Sequence, residues 1–338
     1  MPRKLRVGFA SLVHDHVWGE LHHWKSNSLV ELVAVGEESD RLRDKAVAAG
    51  VPKAYDSWEE MIEKEQPDIV QAASDNATAA DITELAMANG AHVVTEKPMS
   101  ATLDQANRMV AASKKHNKLL MVNWPNVWDP AFQEWERQVS SGAIGRILHL
   151  KRRNAHNGPK EIGCDPAFWG WLYDEKRNGA GAFMDYCCYG ADIAAYFLGL
   201  PKTVTGIRAV LAKDYPVPDD NAIILLNYGD AFVQIEASWT EVAYGPGPYT
   251  TAYGTEGICA MVGKNVVIHR PGMEPETIEP KPLEEPMRNA PEYFLHCLTT
   301  GEELTGFCSS KVSRDAQEIL EAGLRSSKTG RHIDLPIS

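Results

Sequence analysis

Lys97, Asp185 and Tyr189 are the residues whose types and settings suit chemistry. The tripeptide Glu96-Lys97-Pro98 follows the apolar run Ala91-His92-Val93-Val94-Thr95. A residue before proline is driven away from helical geometry, so this lysine is held at a strand end rather than left to wander in solvent. Asp185 and Tyr189 lie in the block Gly179-Ala180-Gly181-Ala182-Phe183-Met184-Asp185-Tyr186-Cys187-Cys188-Tyr189. Their four-residue spacing puts both on one helix face. An amine, a carboxylate and a phenol around one hydroxyl suit the interconversion of an alcohol and a carbonyl. Tyr189 is the base that takes the hydroxyl proton, and Lys97 favours its phenolate and stabilises the developing alkoxide. Asp185 orients a neighbouring hydroxyl. The plainer alternatives are a buried Asp185–Tyr189 hydrogen-bonded pair and a salt-bridged structural Lys97.

The first third of the chain alternates apolar runs with helical patterns, which predicts a parallel sheet with crossover helices. Strands are expected at 5–10, 30–35, 69–73, 92–95 and 119–123. Ser39 opens a helix that stops at Gly50, Ser57 and Glu60 form a capping box, and Thr102 opens a helix that Asn117 can end. From 147 onward, longer alternating strands at 147–155, 204–212, 222–228, 231–239 and 266–270 predict an open, mainly antiparallel sheet. One strong helix, 182–198, interrupts them. The tail at 313–326 reads as helical, and 271–291 as a proline-rich surface excursion. The expected fold is therefore α/β, an N-terminal Rossmann-type doubly wound domain over 1–123 and a C-terminal α+β domain over 124–338 for substrate and oligomerisation.

A strand, tight loop and helix at the start of such a fold hold a dinucleotide pyrophosphate on backbone amides. Here the glycine fingerprint is missing. In register from Val7-Gly8-Phe9-Ala10, its three glycine positions are Ser11, Val13 and His16. Each places a side chain where backbone should approach phosphate, which weakens that grip. The loop is expected to be rebuilt from Ser11, Leu12, Val13, His14 and His16, with side chains donating. Glu37, at the end of the second strand, sits where an acid grips ribose hydroxyls and repels a 2′-phosphate, favouring NAD over NADP. Ser74-Asp75-Asn76 can cap the following helix while Asp75 and Asn76 face the cofactor, the plainer reading being that Asn76 only caps.

Trp124, Asn126, Arg153, Asn154, His156 and Trp169 fall near strand ends and loops and suit a polyol, although any one tryptophan serves core packing equally well. His14-x-His16 and His22-His23 raise a metal site, but no cysteine or carboxylate completes a recognisable spacing, so none is expected. Bulk properties set the limits. The 338 residues favour two domains, and the net charge of −12, with no basic run, argues against nucleic acid and anionic membranes. The six cysteines lack a C-x-x-C pair and read as reduced thiols. No apolar stretch reaches the roughly 20 residues a membrane span needs, and no signal-type segment is evident, so a cytoplasmic location is expected.

Glu96-Lys97-Pro98, Gly142-Ala143-Ile144-Gly145, the block from Gly179 through Tyr189, and Ser326-Ser327-Lys328-Thr329-Gly330 stand in an order that resembles the Gfo/Idh/MocA family of NAD(P)-dependent oxidoreductases. The resemblance spans almost the whole chain. It implies that Lys97 lies beside the nicotinamide and the substrate hydroxyl, with Glu96 on the cofactor, and that Asp185 and Tyr189 contact substrate. The family's usual histidine is replaced by Tyr189, which changes the acid without removing it. It further implies NAD(H)-dependent oxidation of a sugar or cyclitol, or reduction of the matching ketone, in a homodimer or homotetramer built through the open sheet. Two alternatives remain, NAD-assisted glycoside cleavage by oxidation and elimination, and a non-catalytic ligand-binding relative.

Overall fold

The computed structural model describes residues 3–243, 245, 247 and 249–337. The chain divides into two compact units. One comprises Met1–Asn123, Cys164–Gly179 and Glu285–Arg314, and the other Trp124–Gly163, Ala180–Glu284 and Asp315–Ser338. Two stretches expected in the second domain, 164–179 and 285–314, thus cluster with the first.

The first unit is built on β1 (Leu5–Ala10), β2 (Val30–Gly36), β3 (Ala54–Tyr55), β4 (Ile69–Ala72), β5 (His92–Glu96) and β6 (Leu120–Asn123). They form one parallel sheet in the order β3-β2-β1-β4-β5-β6. This is the doubly wound Rossmann arrangement, with its switch point between β1 and β4. β4 is buried at every position, as a central parallel strand covered on both faces must be. The helices end on the local signals read from sequence. The Ser57 hydroxyl accepts from Glu60 N, and Thr102 with Gln105 makes a full capping box before Leu103–His116. Asn117 closes that helix in left-handed backbone, at φ 50°.

Side-chain bonds explain why 164–179 joins this unit. Asp165 accepts both Arg41 guanidinium nitrogens (2.8 and 2.5 Å), the Trp171 indole N–H donates to Val13 O (3.3 Å), and Arg177 pairs with Asp75. Similarly, Cys308 O accepts from Val122 N, and Phe294 packs edge-on against Trp24.

The second unit holds β7 (Ile147–Ala155), β8 (Thr203–Ala209), β9 (Asn221–Asn227), β10 (Phe232–Ser238), β11 (Thr250–Gly254), β12 (Ile258–Val262), β13 (Asn265–His269), β14 (Glu276–Ile278) and β15 (Ile333–Asp334). The sheet order is β14-β13-β12-β11-β7-β10-β9-β8-β15, antiparallel except for β7 against β10. Part of the proline-rich excursion becomes β14 at the sheet edge. The helix Ala182–Leu198 packs across β7, β9 and β10 on one face.

Candidate functional site

Within the first unit, the loop after β1 takes up the fingerprint's geometry without its glycines. Ser11 adopts φ 62°, the left-handed backbone that glycine normally supplies. Its neighbour is captured by Glu37, whose carboxylate accepts Leu12 N (2.7 Å), the Ser11 hydroxyl (3.1 Å) and Ser39 N (3.0 Å). Glu37 therefore braces the loop that follows β1, a role not legible in the sequence. A carboxylate has about four lone-pair sites, so little capacity is left over for a ribose.

Asp75 and Asn76 are likewise turned toward protein. Asp75 accepts from Thr78 N and Oγ1 (2.9 Å each) and pairs with Arg177. The Asn76 amide donates to the Asn178 side chain (2.8 Å) and main chain (3.1 Å). The helix Ala79–Ala88 has Thr78, not Asn76, at its N-cap. These two residues pin 164–179 onto the unit.

Lys97 is buried, with 3% of its surface exposed, at the end of β5. Its main chain is gripped by the His14 imidazole, and its ammonium is felt there electrostatically. Burial first, then His16 and Lys97, holds His14 well below the ordinary histidine pKa, so it is neutral near pH 7. Glu96 is bonded on both oxygens, Oε2 to His16 Nδ1 (2.9 Å) and Oε1 to the Asn123 amide (2.9 Å). Asn123 also reaches Glu20 (3.2 Å), whose carboxyl burial and then the Glu96 charge push up to about 8. Glu20 and Asn123 escaped the sequence reading, since neither lies in a motif. Metal was set aside there for want of a carboxylate, and the fold brings Glu96 to His14 and His16.

Within the second unit, Asp185 and Tyr189 are both buried on the helix Ala182–Leu198. Trp124 is itself buried and packs edge-on against Tyr189, with ring centroids 5.8 Å apart, so it walls the phenol rather than offering an open face to a sugar. Strand alternation decides between two neighbouring arginines. Arg153 stands opposite Glu236 on β10 and is consumed by ion pairs to Glu236 (2.8 Å) and Glu241 (2.7 Å). Arg152, on the other face with buried Leu150, lies 5.6 Å from the Tyr189 ring centroid and donates to Asn154 (2.7 Å). Burial lowers the Arg152 pKa and the Tyr189 charge acts to raise it, so the two groups are electrostatically linked. The residue next to the expected one thus supplies a cation beside the phenol.

His156 packs on Tyr186 (4.9 Å), and its Nδ1 accepts from Gly158 N (2.7 Å), a loop-closing role. Trp169 belongs to the first unit, tilted on Tyr173. The Asn126 amide is buried, and neither its nitrogen nor its oxygen has a hydrogen-bond partner among the described residues. The start of the tyrosine helix is held by Asp219, whose carboxylate accepts Gly181 N (3.0 Å), Phe183 N (2.7 Å) and Arg208 (3.2 Å). A Cβ on Gly181 would lie 2.1 Å from Asp219 O, so only glycine fits there. Burial nevertheless keeps the Asp219 carboxyl above its usual range.

Residues 7–124 match the model described as an oxidoreductase family with an NAD-binding Rossmann fold, and residues 132–260 match the GFO/IDH/MocA C-terminal domain. The chain belongs to the Gfo/Idh/MocA family. Among its relatives is D-apiose dehydrogenase of Paraburkholderia graminis, 27% identical, matched over 93% of this chain and 86% of that protein. Two solved structures share the fold. An Agrobacterium radiobacter oxidoreductase complexed with NAD+, L-tartaric acid and magnesium is 21% identical with TM-score 0.81, covering 98% of each chain. Aldose-aldose oxidoreductase of Caulobacter crescentus, complexed with glycerol, is 22% identical with TM-score 0.81, covering 98% of this chain and all (100%) of the other. The first unit fits the family's dinucleotide. Its strand order and the left-handed Ser11 after β1 suit the place where a Rossmann fold meets pyrophosphate, while the acid ending β2 is spent on shaping that loop.

Proposed function

We propose that this oxidoreductase moves hydride between NAD(H) and a secondary hydroxyl, or the matching ketone, of a sugar or cyclitol. The carrying observation is the buried Tyr189 phenol beside the Arg152 guanidinium, with Asp185 on the same helix. Support for the substrate class comes from the D-apiose dehydrogenase likeness and from Asn126, a buried amide that lacks, among the described residues, the partners such groups almost always find. NAD, when bound, supplies the hydride acceptor. Ser11, Leu12, Val13, His14 and His16 would form its cradle, and Glu96 and Lys97 would sit at its redox end. Glu37 would shape that cradle and disfavour a 2′-phosphate.

In the forward direction Tyr189 accepts the hydroxyl proton. Arg152 and Lys97 stabilise negative charge on the phenol and on the substrate oxygen, and Asp185 accepts a neighbouring hydroxyl. A panel of pyranoses, furanoses, inositols and glycosides, read by NADH formation, tests this reading. Tyr189→Phe should retain the ring packing on Trp124 and lower kcat about 100-fold on the best substrate. Full activity in that variant would remove Tyr189 as the acid/base, and glycoside cleavage without net NADH would overturn the dehydrogenase assignment.

A second copy of the chain is proposed to cover the outer face of the large sheet. Ile207, Ile223, Leu225 and Phe232 are exposed there, Phe232 by 60%, beside a groove of about 830 Å³ lined by Leu148, Leu225 and Phe232. Contiguous apolar exposure of this kind marks an interaction surface. Sedimentation should show a dimer or tetramer that Phe232→Glu with Leu225→Glu reduces to monomer, and a monomeric parent chain would exclude it. All six cysteines are free thiols, which supports a reducing, cytoplasmic setting. No helix among the described residues is long and apolar enough to cross a membrane.

A further inference from the structure

His14 and His16 from the loop after β1, and Glu96 from the end of β5, each bring one ligating atom within 4.8 Å of the others. We propose that this trio is a divalent transition-metal site of the Zn2+ class, with at least one coordination position left open.

Two imidazoles and one carboxylate form a three-ligand protein set that Zn2+ accepts, with water or another oxygen completing the tetrahedron. The surrounding contacts are those that fix metal ligands. His14 is hydrogen-bonded to the Lys97 main chain, while its Nδ1 receives a long 3.4 Å contact from His16 N. Glu96 is oriented by Asn123 through Oε1, leaving Oε2 toward His16 Nδ1 at 2.9 Å. Metal-bound histidines typically give their other ring N–H to a carbonyl, and bound carboxylates are themselves hydrogen-bonded. His14 and Glu96 are buried, at 1% and 4% exposure, whereas the His16 side chain keeps 34%, so a cation has a route in. The set is absent from any local motif because His16 and Glu96 are 80 residues apart.

A cation here would sit in the loop that has lost its glycines and would bring positive charge to the place where a Rossmann loop meets phosphate. That consequence, unlike the metal site itself, rests on the dinucleotide reading.

The test uses the full chain, free of any histidine tag and stripped with chelator, titrated with ZnCl2 by calorimetry and with CoCl2 by visible absorption, both without NAD. The expected result is one equivalent bound per chain, with a tetrahedral Co2+ spectrum. Binding should weaken at least about tenfold in His16→Ala and in Glu96→Gln, and remain unchanged in the control His23→Ala. His16 is partly exposed, so an unchanged melting curve will show that its variant is folded. No saturable binding by the parent chain, or binding that survives both substitutions, would overturn the site. A separate NAD titration with and without Zn2+ then tests the phosphate role, so failure of NAD binding leaves the metal result standing on its own.

Discussion

Lys97→Ala is expected to lower kcat about a thousandfold while changing NAD affinity by less than about threefold. The lysine is buried, its main chain is held by His14, and its ammonium is close enough to depress the His14 pKa. Such a group is positioned at a cost, because taking an ammonium out of water is unfavourable even when it is partnered. Its proposed return is stabilisation of an alkoxide that exists only along the reaction path, which appears in kcat rather than in cofactor binding. Lys97→Arg should recover little, since a planar guanidinium does not replace a compact ammonium in a fitted site. Single-turnover kinetics together with an NAD binding titration check this. A variant with normal turnover would return Lys97 to a structural role and take the proposed mechanism with it.

Asp219→Ala is expected to destabilise the protein by about 3 kcal/mol, seen as a lower midpoint in urea, and to cut activity as well. Its carboxylate satisfies two main-chain N–H groups at the start of Ala182–Leu198 and the half-buried Arg208. Removing it leaves all three donors without that acceptor in a site with no water-exposed carboxylate surface. Asp219→Asn retains an acceptor and should recover part of the loss. Because the same helix carries Asp185 and Tyr189, a tilt at its first turn displaces both. An Asp219→Ala protein with parental stability would show that Gly181 and the helix packing suffice on their own.

The glycine-poor loop illustrates how far sequence reasoning reaches. Ser11, Val13 and His16 in place of glycines lead the sequence to an expectation of weak pyrophosphate binding through added side chains. The backbone itself is nonetheless kept in the left-handed form at Ser11, with Glu37 accepting from the next amide. Glu37 was legible as an acid ending a strand. Its capture by Leu12 N was not, because nothing local encodes a bond across 25 residues. The sequence points to Arg153 and gives no sign of Arg152 for a related reason. A strand's face is set by its phase relative to the helix above it, and one residue of phase exchanges ion pairing with Glu236 for contact with Tyr189.

What the sequence by itself determined about this protein is what neighbours along the chain can encode. That includes the alternation of strand and helix, the capping residues, the buried lysine before proline, the helix bearing Asp185 and Tyr189, and through these motifs the family. Only the tertiary structure decided that 164–179 and 285–314 belong with the first unit, that Asn76 holds Asn178, that Asn123 joins Glu20 to Glu96, and that His14 and His16 acquire a carboxylate. The physical reason is that periodicity and capping are short-range and repeat along the chain. Hydrogen bonds between groups 80 to 103 residues apart arise once, when packing brings two polar side chains together, and where both are buried, as Asn123 and Glu20 are, each must find a partner there.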